Sequence, residues 1–118
     1  MASVNKVILV GNLGADPEKR FLGSGAAVTN FRIATSERWN DKQGNKQEEV
    51  NFFSLVAYGK RAEVLGKFGT KGKLLYVDGR LNARTVTNDK GESRTWHDVR
   101  VDGFRFLDRA ANPEVDEE

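Results

Sequence analysis

The 118-residue sequence contains no cysteine, a single histidine and only two prolines. Without cysteine, disulfides, thiolate zinc sites and cysteine nucleophiles are excluded. The histidine, His97, lies between Trp96 and Asp98 and has no second imidazole to complete a metal site, so we interpret it as a surface or packing residue. No convergent cluster of acidic residues is visible. These absences argue against an enzyme, a metal site and a cofactor.

Long apolar runs are also missing. No stretch approaches the roughly 20 apolar residues of a membrane span, and the first residues lack the basic and apolar regions of a secretion signal. The sequence therefore predicts a soluble cytoplasmic protein with no membrane partner.

Positive charge is concentrated before the last few residues. Lysine and arginine number 19 and the acids 17, but four of the last five residues are acidic: Glu114, Asp116, Glu117 and Glu118. Residues 1–113 are therefore strongly basic, which favours a polyanionic partner.

Apolar residues alternate with the period of a β-strand in five segments. The predicted strands span residues 5–13, 26–38, 49–61 (a strand that runs into a turn), 73–87 and 93–107. In the third strand, Phe53, Leu55 and Ala57 form a predicted core face, which places Phe52 and Tyr58 together on the opposite face.

Two further features of the strands can be predicted. Both faces of the first strand are apolar, with Ile8 and Val10 opposite Val7 and Leu9, so we expect burial on both sides. In the last strand, a β-bulge at Gly103 would turn the following aromatic residues toward the core.

A short amphipathic helix is predicted over residues 60–68, with Ala62 and Leu65 on one stripe and Gly69 as its end. Five strands with one helix between the third and fourth have the order of an OB-fold, an all-β, five-stranded Greek-key barrel. We assign residues 1–107 to this domain and residues 108–118 to a short acidic, disordered tail.

Two polar segments predict hairpin connections. Residues 40–47 form an expected flexible arm, and residues 88–91 form an expected turn with Gly91 at positive φ. A regular turn there would place Trp96 across from Ala83, on the face opposite Arg84. Trp96 is then predicted to be a structural or interface residue.

Aromatic and cationic residues are interleaved along the chain: Phe21 with Arg20, Trp39 with Lys42, Phe52 and Tyr58 with Lys60, and Arg80 with Arg84. Single-stranded nucleic acid exposes base faces beside phosphates, so a protein that holds it needs flat stacking surfaces flanked by positive charge. The residues alone leave open the alternative that these aromatics are ordinary barrel and hairpin residues.

Several segments together resemble the bacterial-type single-stranded DNA-binding protein family: residues 5–14 with 16–18, 34–39, 58–64 and 71–81. The resemblance implies an OB-fold that assembles into a homotetramer and wraps single-stranded DNA in replication, repair and recombination, in the cytoplasm at the nucleoid. By position it implies base stacking on Trp39, Phe52 and Tyr58. It implies phosphate contacts from Arg20, Lys42, Lys60, Lys71 and Arg84.

The resemblance also marks two departures. Val86 occupies a position where the family usually has a stacking tryptophan, so we expect a weaker or absent contact there. Family members often end in an acidic tip with an apolar Pro-Phe that recruits replication proteins, whereas this chain ends in acids alone. Its tail is expected either to contact replication or repair proteins or simply to keep the protein soluble.

Three alternatives remain at the level of sequence. One is an OB-fold protein that serves RNA or a primosome. Another is a small nuclease, which the lack of a visible acidic cluster disfavours. The third is a structural oligomer without affinity for nucleic acid.

Overall fold

The structure is a computed structural model that describes residues 1–108. Its elements are β1 (Val7–Leu13), β2 (Glu18–Phe21), β3 (Ala27–Asn40), β4 (Lys46–Tyr58), α1 (Lys60–Phe68), β5 (Leu74–Thr87) and β6 (Ser93–Phe106). The predicted tail lies outside the described residues except for Asp108, whose carboxylate accepts a hydrogen bond from the Leu74 N–H at 2.8 Å.

The five long strands close into a barrel. The strand order is β1-β5-β6-β4-β3-β2, and β1 also pairs with β3. All neighbours are antiparallel except β4 and β6, which pair in parallel over two residue pairs. The predicted five-stranded OB-fold with one helix between the third and fourth long strands is therefore confirmed.

Alternating residues of the strands fill the barrel. In β4 the inward residues Leu55 and Ala57 are buried and Phe53 packs against the same core, while Phe52 and Tyr58 are exposed on the outer face, as predicted. At the seam between β1 and β3 the backbones approach so closely that a Cβ on Gly11 would lie 2.3 Å from the Ala34 carbonyl oxygen. Closure of the barrel therefore requires glycine at this point.

The helix covers one end of the core. Ala62 and Leu65 are fully buried, as the predicted stripe requires, and the buried Thr29 hydroxyl donates to the Ala62 carbonyl at 2.6 Å. The Gly69 N–H donates to the Leu65 carbonyl at 2.9 Å and ends the helix at the predicted residue.

The predicted bulge in the last strand is confirmed. Asp78 pairs with Gly103 and Gly79 with Val101, which leaves Asp102 as the extra residue of β6. This insertion switches the alternation, so Val99 before it and Phe104 after it are both buried.

Two expectations differ from the structure. The segment 18–21, which was not among the five predicted strands, forms β2 and pairs with β3. Its four residues are all exposed, so the segment lacks the alternation of buried and exposed residues that would predict a strand. The outer face of β1 is open in the single chain, with Ile8 61% and Val10 50% exposed, so the prediction of burial on both faces is wrong for the isolated chain.

Both hairpin arms end in the same three-residue loop. In residues 41–45 the Asp41 carboxylate accepts hydrogen bonds from the N–H groups of Gln43 and Asn45, and in residues 88–92 the Asn88 amide oxygen accepts from Lys90 and Glu92. Glycines at the fourth position, Gly44 and Gly91, take the positive φ of this loop. The arm expected to be flexible is thus paired up to Asn40 and Lys46, with a hydrogen-bonded loop between them.

The second loop corrects the predicted register of the β5–β6 hairpin. A two-residue loop would pair Ala83 with Trp96, whereas the three-residue loop pairs Arg84 with Trp96 and Ala83 with His97. Because a one-residue slip moves a side chain to the other face, Trp96 shares a face with Arg84, and its predicted placement is wrong.

Candidate nucleic-acid interface

One outer surface of the sheet carries exposed aromatic rings and arginines. Directly paired residues share a face, so the register defines rows that cross the strands. One row runs Arg20, Val28, Tyr58, and the next runs Glu18, Asn30, Val56, Arg100, Arg80. We call this surface, from β2 through β3, β4 and β6 to β5, the outer face.

Tyr58 lies at the end of β4 with its ring 44% exposed. Arg20 of β2 lies two strands away in the same row, and the Arg100 guanidinium of β6 is 5.7 Å from the ring centroid. The ring is thus a flat surface with one cation in contact with it and a second in the same row. The structure brings together two predicted site residues, Arg20 and Tyr58, on the outer face.

Phe52 occupies the other end of the same strand face and is 54% exposed. The Arg32 guanidinium of β3 lies 5.1 Å from its ring centroid, and the ring edge packs against the backbone of Gly14. Phe52 is therefore held in place and paired with a cation, as Tyr58 is.

Arg84 and Trp96 face each other across the β5–β6 hairpin on the same outer face. Trp96 is 49% exposed, and the Arg94 guanidinium lies 4.8 Å from its ring. Val86 pairs with Arg94 and is a diagonal neighbour of Trp96. This hairpin thus presents a third ring with adjacent cations.

Trp39 and Lys42 lie on the β3–β4 arm. Trp39 is 48% exposed and pairs with Gln47, but its position along β3 has the alternation of the buried Ile33 rather than that of Ala34, the partner of Phe52. The indole therefore leaves the arm on the face opposite to Phe52. Lys42 is exposed in the loop at the tip.

Lys60 and Lys71 flank the helix. Lys60 is the first residue of α1, two positions after Tyr58, and its side chain is exposed. Lys71 lies in the turn before β5, where its backbone N–H donates to the Asp16 carboxylate at 2.7 Å and its side chain is exposed.

The outer face also carries acidic residues, some of which form ion pairs with its arginines. Glu18, Glu48, Asp78 and Asp98 lie on it, with Glu48 in an ion pair to Arg38 at 2.7 Å, and Asp102 lies 3.5 Å from the Arg80 guanidinium. Asp98 has one buried carboxylate oxygen without a hydrogen-bond partner within residues 1–108. In the arm loop, the pKa of the Asp41 carboxyl group is lowered below its usual value. The main cause is the hydrogen bond from the backbone N–H of Asn45, followed by the other donors to this carboxylate, so Asp41 stays charged. Over the described residues, no group of three His, Cys, Asp or Glu residues could hold a metal ion, and no helix is long and apolar enough to cross a membrane.

Sequence reasoning missed four residues that contribute to this surface: Arg32, Arg94, Trp96 and Arg100. Arg32 alternates with the buried Phe31 and Ile33, so strand parity could have assigned it to the outer face. Arg94 and Trp96 required the true loop length. Arg100 required the parallel contact between β4 and β6, which no local pattern shows.

A closed five-stranded barrel with this aromatic and cationic face belongs to the OB-fold class of nucleic-acid-binding domains. The sequence matches the Single-strand binding protein family over residues 4–107. The chain belongs to this family of single-stranded DNA-binding proteins.

The relatives agree with this assignment. Single-stranded DNA-binding proteins from Neisseria meningitidis of serogroups A and B are each 42% identical over 105 residues, which is 89% of this chain and 60% of the relative. The chain thus spans about three-fifths of the length of these relatives.

Solved structures show the same fold. The Plasmodium falciparum SSB in complex with ssDNA has a TM-score of 0.82 at 25% identity and covers 92% of this chain and 98% of that one. A deletion mutant of the single-stranded DNA binding protein from Thermus aquaticus has a TM-score of 0.78 at 30% identity, over 90% of this chain and 51% of that one.

Proposed function

We propose that this chain binds single-stranded DNA independently of sequence and protects it in replication, repair and recombination. The observation that carries the proposal is the outer face, where Tyr58 and Phe52 are exposed and each lies beside an arginine guanidinium. Unpaired bases present flat apolar faces next to phosphates, and this surface offers a counterpart to both. The name of the family and the DNA complex of the Plasmodium neighbour point to the same ligand.

In this mechanism the rings and the cations have separate roles. Stacking on Phe52, Tyr58 and Trp39 contributes about 1–3 kcal/mol per base. Arg20, Lys42, Lys60, Lys71 and Arg84 contact phosphates, and each neutralised phosphate changes the slope of log affinity against log salt by about −0.7. Since Trp39 lies on the other face of its arm from Phe52, a bound strand has to pass around the arm to reach both.

The proposal includes assembly into a homotetramer. The exposed apolar residues Ile8 and Val10 project from the solvent-exposed side of β1, next to the half-buried Tyr76 of β5. Such a contiguous apolar strand face suits contact with a second copy of the chain. Assembly would bring several outer faces together and let one DNA strand wrap around them.

We also propose how the protein acts, where it acts and which kind of protein surface its acidic residues contact. The protein acts as a binding protein without catalysis or a cofactor, in the cytoplasm at the nucleoid. The acidic residues Glu114, Asp116, Glu117 and Glu118 suit a basic site on a replication or repair protein.

The test is a titration of the full chain with end-labelled oligo-dT at low and high salt, followed by fluorescence anisotropy of the label. We expect tight binding at low salt that weakens linearly in log salt, and little binding to duplex DNA of the same length. Competition between oligo-dU and oligo-rU of equal length separates DNA from RNA binding, and a clear preference for rU would favour the RNA-serving alternative. Absence of binding at low salt would overturn the proposal.

A further inference from the structure

The β5–β6 hairpin carries an exposed indole, Trp96, that the sequence pattern had assigned to a structural or interface role. Trp96 is 49% exposed and lies on the same face as Arg84, its direct cross-strand partner. Half of a large amphipathic ring therefore faces solvent on the outer face of an arm that extends beyond the barrel. Within residues 1–108, Trp96 is not among the residues that pack against the barrel core.

The surroundings of Trp96 form an open groove on the hairpin. Its walls are Val86, Asn88, Glu92, Ser93, Arg94 and Trp96, and its volume is about 460 Å³. Val86, which is 50% exposed, supplies a small apolar edge diagonal to the indole. Both the indole on β6 and the Val86 side chain on β5 are accessible from the groove.

The charges of the groove select the kind of molecule that fits. Arg84 lies across from the indole, and the Arg94 guanidinium lies 4.8 Å from the ring centroid. Of the groove residues, Glu92 is the acidic one, and its carboxylate accepts a hydrogen bond from the Asn88 side chain at 3.0 Å. An exposed indole with the Arg94 guanidinium over its ring and Arg84 as its cross-strand neighbour matches a base attached to phosphates.

We propose that Trp96 is a base-stacking residue for single-stranded DNA, and that the stacking platform of this hairpin lies on β6 instead of at position 86 on β5. A base stacks on the indole with its edge against Val86, and Arg84 and Arg94 contact the neighbouring phosphates. This inference rests on the proposed function and specifies one of its contact sites.

The two tryptophans of the chain, Trp39 and Trp96, allow a direct test. In the Trp39→Phe variant all indole emission comes from Trp96, and in Trp96→Phe all of it comes from Trp39. Each variant is titrated with labelled oligo-dT while anisotropy reports binding and indole emission reports stacking. We expect the emission of Trp96 to be quenched and to saturate at the same DNA ratio as the anisotropy.

An affinity measurement adds a second readout. Trp96→Ala should weaken dT binding by about 5- to 150-fold, the range for loss of one stacked base. The double variant Thr95→Trp/Trp96→Thr keeps the composition but moves the indole to the other face of the hairpin, and it should bind as weakly as Trp96→Ala. Thr95→Ala, which changes only that other face, should bind like the parent.

The outcomes separate the two proposals. If dT raises the anisotropy but leaves Trp96 emission and the Trp96→Ala affinity unchanged, the role of Trp96 is wrong and the proposed function stands. If Trp96 emission shifts with protein concentration before DNA is added and is then insensitive to dT, the indole is a contact between copies of the chain, which also overturns the inference. If no variant and no parent protein binds dT, the proposed function itself fails.

Discussion

The guanidinium of Arg100 on β6 lies 5.7 Å from the ring of Tyr58 on β4. These strands meet through a short parallel pairing in which Arg100 is opposite Val56, two residues before Tyr58. The contact that closes this side of the barrel therefore also places a cation beside an exposed aromatic ring. Barrel closure and the candidate interface depend on the same pair of strands.

Replacing Arg100 tests this pairing. Arg100→Gln should weaken dT binding at low salt and make the slope of log affinity against log salt shallower by about 0.7, because one phosphate contact is lost. Arg100→Lys keeps the charge and should keep the slope. An unchanged slope in Arg100→Gln would show that this guanidinium does not reach a phosphate. Anisotropy titrations at four or five salt concentrations measure both.

Lys60 should act through charge alone. Lys60→Gln should flatten the salt slope by about 0.7 and lose most of its effect at high salt, since no stacking is removed. Lys60→Arg, which retains the positive charge at the same helix position, is the matched control and should follow the parent. A loss of affinity in Lys60→Gln that persisted at high salt would contradict a purely electrostatic role.

The exposed face of β1 should mediate assembly. Val10→Glu places a charge in the apolar patch with Ile8, so we expect the oligomer to dissociate, because burying an unpaired carboxylate costs several kcal/mol. Light scattering coupled to size exclusion measures the mass. Val4→Glu, at a 93% exposed position before β1, should leave the mass unchanged. An intact oligomer in Val10→Glu would place the interface elsewhere.

Gly11 should be essential for stability of the barrel. In Gly11→Ala the new methyl group would lie 2.3 Å from the Ala34 carbonyl oxygen, so the β1–β3 seam has to open and the free energy of unfolding should fall by about 1–3 kcal/mol. Chemical denaturation measures this change. Gly23→Ala is the control, since no atom lies within 4 Å of its added Cβ. Equal stability of the two variants would argue against a tight seam.

The arm loop should loosen in acid. The backbone N–H of Asn45 is the main cause that lowers the pKa of Asp41, so the folded loop binds the proton more weakly than the open loop does. The stabilisation is therefore present above the ordinary aspartate pKa and is lost as the pH falls through the lowered value. Carboxyl-carbon NMR should show the lowered pKa, and amide exchange at Gln43 and Asn45 should accelerate at neutral pH in Asp41→Ala, which removes the acceptor. A pKa at the ordinary value would contradict this role.

Local patterns were sufficient for the five long strands, the helix and most of the core. Alternation along β4 predicted that Leu55 and Ala57 point inward and that Tyr58 points outward, because successive strand residues leave opposite faces regardless of what they pair with. The bulge beside Gly103 was predictable for the same reason, since the apolar residues of β6 change parity there. The short strand β2 was not predictable, because its residues are all exposed.

The site depended more on tertiary structure. Position along the strand placed Phe52 and Tyr58 on one outward face. Only the family resemblance grouped Trp39 with them, and the structure puts its indole on the other face of its arm. That these residues contact DNA remains a prediction.

What the sequence by itself determined was the order of the strands and helix, the inward residues, and the excess of positive charge, since each follows from local periodicity or composition. Tertiary structure decided which residues face one another. One additional loop residue moved Trp96 across from Arg84, and the parallel contact of β4 with β6 brought Arg100 to Tyr58. The physical reason is that register is set by loop geometry and by closure of the barrel, and these join residues that are distant in the chain.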